Sequence, residues 1–194
     1  MIKEILAVLA VVGVLIAYYP YFRDIFQKKT QPHIYTWLIW TITMGVGVLG
    51  IIKGDGQQGV WSLLLGLILV ALVMILSIWY GTKNITKSDT VSLIFALLAL
   101  GLWFFLENPY LALFVAALVD AVGYYPTFRK SFSEPKTETL SFWVISVIVS
   151  TISVLANENY NFLTTFYLGT MLTMNFFLTL FIIYRRKKLY NKFY

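Results

Sequence analysis

Asp120 is an acidic residue inside an otherwise apolar stretch, residues 111–122. A carboxylate near the middle of a membrane-spanning helix costs on the order of 3 kcal/mol on insertion scales, so such groups are rare outside cavities, proton relays and paired sites. Asp120 is therefore a candidate for proton coupling or for a hydrogen bond to a bound solute. The alternative is a protonated carboxyl group that joins helices by bonding a backbone carbonyl or a neighbouring hydroxyl group.

Asn175 is a second strongly polar residue in an apolar setting, within the segment 170–175. Its amide offers donors and an acceptor to a hydroxyl-rich or zwitterionic ligand. An amide at this depth also joins neighbouring helices. Both interpretations stay open for Asn175, and the hydroxyl groups around it in segments 146–153 and 164–173 place a polar site toward the C-terminal half.

Aromatic side chains make up 18% of the sequence. Most lie near the ends of apolar segments, Tyr18 and Tyr124 among them, as an interfacial aromatic belt requires. Five others are candidates to stack against a ligand or to close a pathway, although the interfacial position is open to them as well. These five are Trp37, Trp40, Trp61, Trp143 and Tyr167.

Catalytic and metal-binding patterns are missing from the sequence. There is no cysteine, which excludes disulfides, thiol catalysis and metal–thiolate sites. The one histidine, His33, lies in a basic loop with no second ligand group at metal-binding spacing, so we expect it to be solvated. No Ser-His-Asp set, His-Glu-x-x-His motif or pair of intramembrane carboxylates occurs. We therefore expect neither an enzyme nor a cofactor or metal site.

Long apolar blocks carry these side chains. The chain is 59% hydrophobic and 12% charged, with a mean hydropathy of +0.77. Crossing a hydrocarbon layer of ~30 Å takes roughly 20 helical residues, and unbroken apolar blocks favour helices over alternating strands. The sequence thus predicts an all-α integral membrane protein with seven transmembrane helices. We expect them at about 4–20, 35–53, 59–80, 90–107, 109–128, 139–156 and 160–184.

The basic residues predict the orientation of these helices. With a cytoplasmic C-terminus, the cytoplasmic segments hold thirteen lysines and arginines, and the outer segments hold only Lys3 and Lys53. The positive-inside rule then places the N-terminus outside and the C-terminus in the cytoplasm, as in a bacterial-type inner (plasma) membrane. We expect the basic cytoplasmic tail, residues 185–194, to lie at anionic lipid headgroups and not to bind nucleic acid.

An internal repeat organises the chain. Residues 18–23 (YYPYFR) return as residues 124–129 (YYPTFR) with five of six identical, and the same offset of 106 pairs Trp37 with Trp143. Repeats of this length indicate a duplicated structural unit. Because three helices are an odd number, two three-helix units of equal orientation need one helix between them. The predicted organisation is a first repeat at 1–84, a linker helix at 85–108, a second repeat at 109–184 and the tail.

This pattern of a Tyr-Pro pair near the inner end of a first helix, a short basic loop and a tryptophan-bearing second helix resembles the PQ-loop motif of the SWEET, SemiSWEET and PQ-loop transporter superfamily. The resemblance is strongest at residues 18–40 and 124–143. It implies a SWEET-like 3+1+3 arrangement of two parallel repeats. It also implies a substrate site near the membrane midplane, between the two repeats.

Pro20 and Pro126 occupy the same place in the two repeats. Proline cannot donate a hydrogen bond to the carbonyl group four residues back, so each helix should bend there or end there. The duplication favours a hinge that opens a pathway to the cytoplasm, and the resemblance implies the same role. The adjacent Tyr19 and Tyr125 are the matching candidates for a gate.

These observations together predict a transporter of a small polar solute, sugar-like or a similar metabolite, that works by alternating access. Protons are a further candidate partner through Asp120. A vitamin or nucleoside transporter of the PnuC type and a non-transporting receptor on the PQ-loop scaffold are the alternatives. The expected partners are the small-molecule substrate and the lipid bilayer. A monomer suffices because one chain holds both repeats, and a homo-oligomer stays open.

Overall fold

The computed structural model describes residues 1–103, 105 and 108–190, and this part of the chain is helical without any strand. Two short 3-10 helices, Gln57–Gly59 and Pro135–Thr137, lie in loops. The predicted end of the linker helix at 107 and the last tail residues, 191–194, lie outside the described residues. The α-helices are α1 (Ile2–Phe26), α2 (Ile34–Lys53), α3 (Val60–Tyr80), α4 (Lys87–Trp103), α5 (Pro109–Gly123), α6 (Tyr125–Ser133), α7 (Leu140–Ala156) and α8 (Phe162–Tyr190).

Five stretches of helix are long and apolar enough to cross a membrane. They are α1, α2, α3, the continuous stretch Pro109–Ser133 that joins α5 and α6, and Phe162–Leu189 within α8. The apolar α7 is shorter, with 17 residues, or about 26 Å of helix. The prediction of an all-α protein with membrane-spanning helices is confirmed at this level, and the count of seven crossings stays a prediction.

The outer faces of the long helices are apolar. In the most apolar windows of α1, α3 and α8 only 33% of the residues are buried inside the protein. A surface of this kind is what contact with hydrocarbon requires, and an ordinary soluble protein exposes much smaller apolar patches. The exposed apolar side chains include Val8, Leu9, Val12, Ile16, Ile68, Leu72, Ile75, Phe176, Phe177 and Leu180.

Six helices form a ring of contacts, and we call α1, α2 and α3 the first group and α5, α7 and α8 the second group. In the first group α3 contacts both α1 and α2, and in the second group α8 contacts both α5 and α7. The two groups meet where α1 packs against α7 and α2 packs against α5. Small residues allow these contacts, because an added Cβ on Gly13 would lie 2.6 Å from Val149, and one on Gly50 would lie 2.7 Å from Leu113. Helix α4 packs mainly against α5.

The two repeated prolines differ in their local structure. Pro20 lies inside α1, which continues to Phe26, so the alternative in which proline ends its helix does not hold there. Pro126 follows an interruption at Tyr124 that separates α5 from α6. At this point the Tyr124 N–H donates to the Ala121 carbonyl at 3.2 Å, a bond to the third residue back. The second repeat thus has a one-residue break in its helical hydrogen bonds before the proline, and a bend at Pro20 stays a prediction.

Most of the basic loops gather at one end of the bundle, which we call the basic end. There the Thr82 N–H donates to the Pro32 carbonyl at 3.0 Å, the Gln31 N–H to the Thr137 carbonyl at 3.2 Å, and Arg186 Nε to the Pro135 carbonyl at 3.0 Å. This end therefore holds residues 27–33, 81–86 and 134–139 and the C-terminal part of α8.

The other end of the bundle, which we call the opposite end, holds the N-terminus and residues 54–59 and 157–161. Lys3 Nζ donates to the Tyr160 hydroxyl at 2.6 Å, and Asn161 Nδ2 donates to the Gly54 carbonyl at 2.9 Å. The chain thus starts at the opposite end, and α8 finishes at the basic end.

Candidate functional site

A cavity lies between the two groups of helices. The centre of a water molecule can move through a volume of about 70 Å³ inside it. This volume has room for several waters or for a small ligand. The cavity is therefore central and draws on both halves of the chain. Its lining consists of Val14, Ala17, Tyr18, Trp37, Trp40, Met44, Ser62, Leu63, Gly66, Val70, Asp120, Tyr124, Phe142, Trp143, Ser146, Val149, Ser153, Leu168, Met171 and Asn175.

Asp120 supplies the carboxylate of this cavity and is 1% exposed. Its Oδ1 accepts hydrogen bonds from the Thr43 hydroxyl at 2.7 Å and from the Tyr167 hydroxyl at 2.8 Å. Its Oδ2 is buried and has no hydrogen-bond partner among the described residues. A buried acceptor without a donor carries the full cost of its desolvation, so a donor at Oδ2 would stabilise this carboxylate.

Aromatic rings line the cavity together with Asp120. Trp40 Nε1 donates to the backbone carbonyl of Asp120 at 3.2 Å, and the Trp40 ring centroid lies 4.4 Å from that of Tyr124 and 6.0 Å from that of Trp143. Trp37 follows at 5.2 Å from Trp40. We call the six aromatic residues of the lining the aromatic wall. Its members are Tyr18, Trp37, Trp40, Tyr124, Phe142 and Trp143.

Asn175 lies on the cavity lining and joins three elements. The Tyr124 hydroxyl donates to Asn175 Oδ1 at 2.9 Å, and Asn175 Nδ2 donates to Ser150 Oγ at 3.2 Å. These bonds tie α8 to α7 and to the junction between α5 and α6. The helix-joining interpretation of Asn175 therefore describes its contacts, and a contact with a ligand stays a prediction.

The structure brings five of the predicted binding residues to the cavity and sets two apart. The five that line it are Asp120, Asn175, Trp37, Trp40 and Trp143. Tyr167 is 1% exposed and reaches the site through its hydrogen bond to Asp120. Trp61 is 54% exposed at the start of α3, away from the lining, while the next residue in the chain belongs to the lining.

In each tyrosine pair of the repeated motif, one tyrosine lies at the surface and the other lines the cavity. Tyr19 and Tyr125, the candidates for a gate, are 72% and 43% exposed on the outer surface. Tyr18 and Tyr124, which the interfacial pattern assigned to the aromatic belt, are buried and belong to the aromatic wall. The belt prediction was wrong for these two tyrosines, because the rotation of each helix turns the first tyrosine of the pair inward.

Sequence reasoning also missed Phe142 and Thr43. Phe142 precedes Trp143 and packs against Tyr18 at 5.0 Å between ring centroids. Thr43 follows Trp40 by three residues, and side chains at that spacing share a helix face. This spacing is the signal that could have identified Thr43 as a partner of the site.

A buried ion pair lies at the basic end and contacts one residue of the cavity lining. Lys130 Nζ pairs with Glu138 Oε1, and their side chains are 0% and 1% exposed. Lys130 Nζ also donates to the Gln31 carbonyl at 2.5 Å. Glu138 Oε2 accepts a hydrogen bond from Trp143 Nε1 at 3.1 Å, so the ion pair holds one residue of the aromatic wall.

Hydroxyl pairs link the N-terminal and C-terminal halves of the chain. Toward the basic end, the hydroxyl groups of Thr30 and Thr139 lie 2.5 Å apart, and those of Thr36 and Thr127 lie 3.1 Å apart. Toward the opposite end, Ser62 Oγ and Ser153 Oγ lie 2.8 Å apart, and both residues line the cavity. Hydroxyl contacts between the two halves of the chain therefore occur toward both ends of the bundle.

A second polar cluster lies at the basic end. Asp89 is 0% exposed and accepts two hydrogen bonds from Arg129, each 2.8 Å long. His33 Nε2 lies 3.3 Å from Asp89 Oδ2. Burial opposes ionisation of Asp89, but the bonds from Arg129 and from Thr86 outweigh it and lower the pKa of this carboxyl group. The cluster joins the first loop, the start of α4 and α6.

The expectation that His33 is solvated was wrong, because its side chain is 0% exposed. Burial lowers the pKa of His33, and the nearby charges of Lys130 and Arg129 act in the same direction. The attraction of Asp89 opposes this shift without cancelling it. His33 is therefore neutral near pH 7, and its Nδ1 is buried without a partner among the described residues.

The described residues contain no group of three or more histidines and carboxylates that could hold a metal ion. No protein-family model matches the chain, and neither does any curated protein or solved structure. Over the described residues, the fold and the site define a helical protein with helices long and apolar enough to span a membrane and a central cavity whose mainly apolar lining holds a few polar groups.

Proposed function

We propose that this chain is a membrane transporter of a small polar solute that works by alternating access. The observation that carries the proposal is the cavity between the two helix groups, whose lining includes Asp120, a buried carboxylate with one oxygen that has no donor among the described residues. Cavities with a few convergent polar groups in a mainly apolar lining are typical ligand sites. In transporters built from repeats, such sites lie between the repeated units.

The packing supports two parallel repeats joined by a linker. The third helix of each group contacts the other two, and the first helix of each group packs on the second helix of the other group. This order is the same in both groups, as a repeat predicts. Helix α4 packs mainly against α5, as a linker helix would. The proposed organisation is therefore a 3+1+3, SWEET-like arrangement.

The distribution of the chain ends supports the proposed orientation. Helix α8 finishes at the basic end, together with three basic loops, and the N-terminus lies at the opposite end. By the positive-inside rule the basic end faces the cytoplasm. We therefore place the C-terminus in the cytoplasm and the N-terminus outside, in a plasma membrane of the bacterial type.

Alternating access needs contacts that can open at each end in turn. In this proposal the threonine pairs and the Lys130–Glu138 ion pair form the inner gate, and the Ser62–Ser153 pair belongs to the outer one. The interruption before Pro126 supports a hinge in the second repeat. Rocking of one helix group against the other would then expose the cavity to one side at a time.

Uptake into proteoliposomes tests the proposal. The panel contains sugars, amino acids and nucleosides, each with and without an inward pH gradient, for the wild type and for Asp120→Asn. Glu4→Gln, which removes an exposed carboxylate far from the cavity, is the control. Flux that rises with the gradient and loses this response in Asp120→Asn supports proton coupling, and flux indifferent to both rejects it.

The same panel separates the alternatives. The aromatic wall is also suited to a flat ring, which favours a vitamin or nucleoside transporter of the PnuC type as the second candidate. Flux of nucleosides without flux of sugars would select it. Absence of flux for every compound in the panel would contradict transport and would favour a receptor on this scaffold.

A further inference from the structure

We propose that the solute held in the cavity is a small organic ammonium ion, which pairs with the carboxylate of Asp120 and lies against the aromatic wall. This inference rests on the proposed function, because it names the chemical class of the transported solute. Three features of the lining carry it: its charge, the oxygen of Asp120 that has no donor among the described residues, and its rings.

The charge of the lining is unbalanced. Among the described residues that line the cavity there is one carboxylate and no lysine, arginine or histidine. The hydroxyl groups of Thr43 and Tyr167 bond to Asp120, but they carry no positive charge. A buried carboxylate without a cation is unfavourable, so the site gains from a bound positive charge.

The oxygen of Asp120 that lacks a partner favours a ligand with a hydrogen-bond donor. Oδ1 of Asp120 already accepts two hydrogen bonds, and Oδ2 accepts none among the described residues. An ammonium group supplies N–H donors together with the charge, and such charge-assisted bonds are stronger than neutral ones. A quaternary ammonium ion would supply the charge without the donor, so we assign an ammonium group that bears at least one N–H.

The rings favour an organic cation over a solute with many hydroxyl groups. Aromatic rings attract ammonium ions, and this attraction grows when the site excludes water. A sugar would instead need several free donors and acceptors. Much of the polar lining is already bonded internally, through the pairs Ser62–Ser153, Tyr124–Asn175 and Asn175–Ser150.

Binding measurements on the purified, detergent-solubilised full chain test the inference. The probes are the small primary ammonium ions from methylammonium to butylammonium and ethanolammonium, each beside the alcohol in which a hydroxyl group replaces the ammonium group. Tryptophan fluorescence reports binding, since three tryptophans line the cavity. Sodium chloride alone is the ionic control, and Glu4→Gln is the control variant.

We expect at least one ammonium ion to bind roughly tenfold more tightly than its alcohol, a ratio that Asp120→Asn abolishes and Glu4→Gln keeps. No preference for any ammonium ion in the wild type would overturn the inference, even if Asp120→Asn fails to fold. A preference that survives in Asp120→Asn, or a response that sodium reproduces, would overturn it as well.

The outcomes for this inference and for transport are separable. Binding of an ammonium ion without its uptake into proteoliposomes would reject transport and keep the cation site. Uptake of a sugar by a protein that binds no ammonium ion would reject the cation site and keep transport.

Discussion

Replacement of Gly47 by alanine tests how tightly the carboxylate of the site is held. Gly47 lies in α2, and an added Cβ would lie 2.6 Å from Tyr167 Cδ1 and 2.7 Å from Cε1. The Tyr167 ring is 1% exposed, and its hydroxyl donates to Asp120. Since non-bonded carbons sit about 3.5–4.0 Å apart, the ring must move by about 1 Å. That movement weakens or breaks the bond to Asp120.

The cost follows from three contributions. Overpacking of a buried site costs about 1–3 kcal/mol, and a hydrogen bond to a charged group contributes about 1.5–3 kcal/mol. Alanine in place of glycine returns about 1 kcal/mol of helix propensity. The net loss for Gly47→Ala centres on about 3 kcal/mol, which in a chain of this size lowers the unfolding temperature by roughly 6–12 °C.

Gly45 provides the matched control. It lies two residues earlier in the same helix, and an added Cβ there meets nothing within 4 Å. Gly45→Ala should therefore be neutral or stabilise the protein by up to about 1 kcal/mol. Thermal unfolding of both variants in one detergent, together with uptake, checks the comparison. If Gly47→Ala unfolds and transports like Gly45→Ala, the proposed packing of Tyr167 against α2 is wrong.

Three further predictions concern other contacts. Glu138→Gln should destabilise the protein by about 3–5 kcal/mol because Lys130 stays buried without its partner; a combined Lys130→Met/Glu138→Gln variant that unfolds no later than Glu138→Gln would contradict this. Stability should fall below about pH 6.5, because burial lowers the pKa of His33 in the folded state, and His33→Gln should flatten this fall in melts from pH 7.5 to 5.0. Pro126→Ala should slow uptake more than Pro20→Ala does, and equal rates for both would argue against the hinge.

Much of the fold could be predicted from the apolar blocks and the repeat in the sequence. The predicted segment 139–156 starts one residue before α7 and ends with it. The predicted segment 35–53 starts one residue after the start of α2 and ends with it. Hydropathy gives such boundaries because helix length in a bilayer is fixed by its thickness. The rotation of each helix about its own axis could not be predicted from hydropathy, since it depends on packing against neighbours. Trp61 illustrates this, because it points away from the cavity that the next residue lines.

The cluster around Asp89 could not be predicted from spacing. Its members lie in three elements, with His33 56 positions before Asp89 and Arg129 40 positions after it. Sequence separation of that size carries no information on contact without the packing of the helices. The burial of His33 follows from the same packing, which closes the loops of the basic end over it.

Repeated and unrepeated residues have different places in the cavity. The aromatic wall draws on both repeats, since Tyr18 and Trp37 have Tyr124 and Trp143 as their counterparts. The carboxylate has no counterpart, because Val14 stands where Asp120 would be matched, and Val14 also lines the cavity. In our proposal the duplicated rings therefore form a cavity common to both halves, and the single unmatched charge decides which solute it accepts. Val14→Asp with Asp120→Val should then move the acidic group to the other repeat and keep the preference for a cation, and loss of that preference would show that the partners Thr43 and Tyr167 are indispensable.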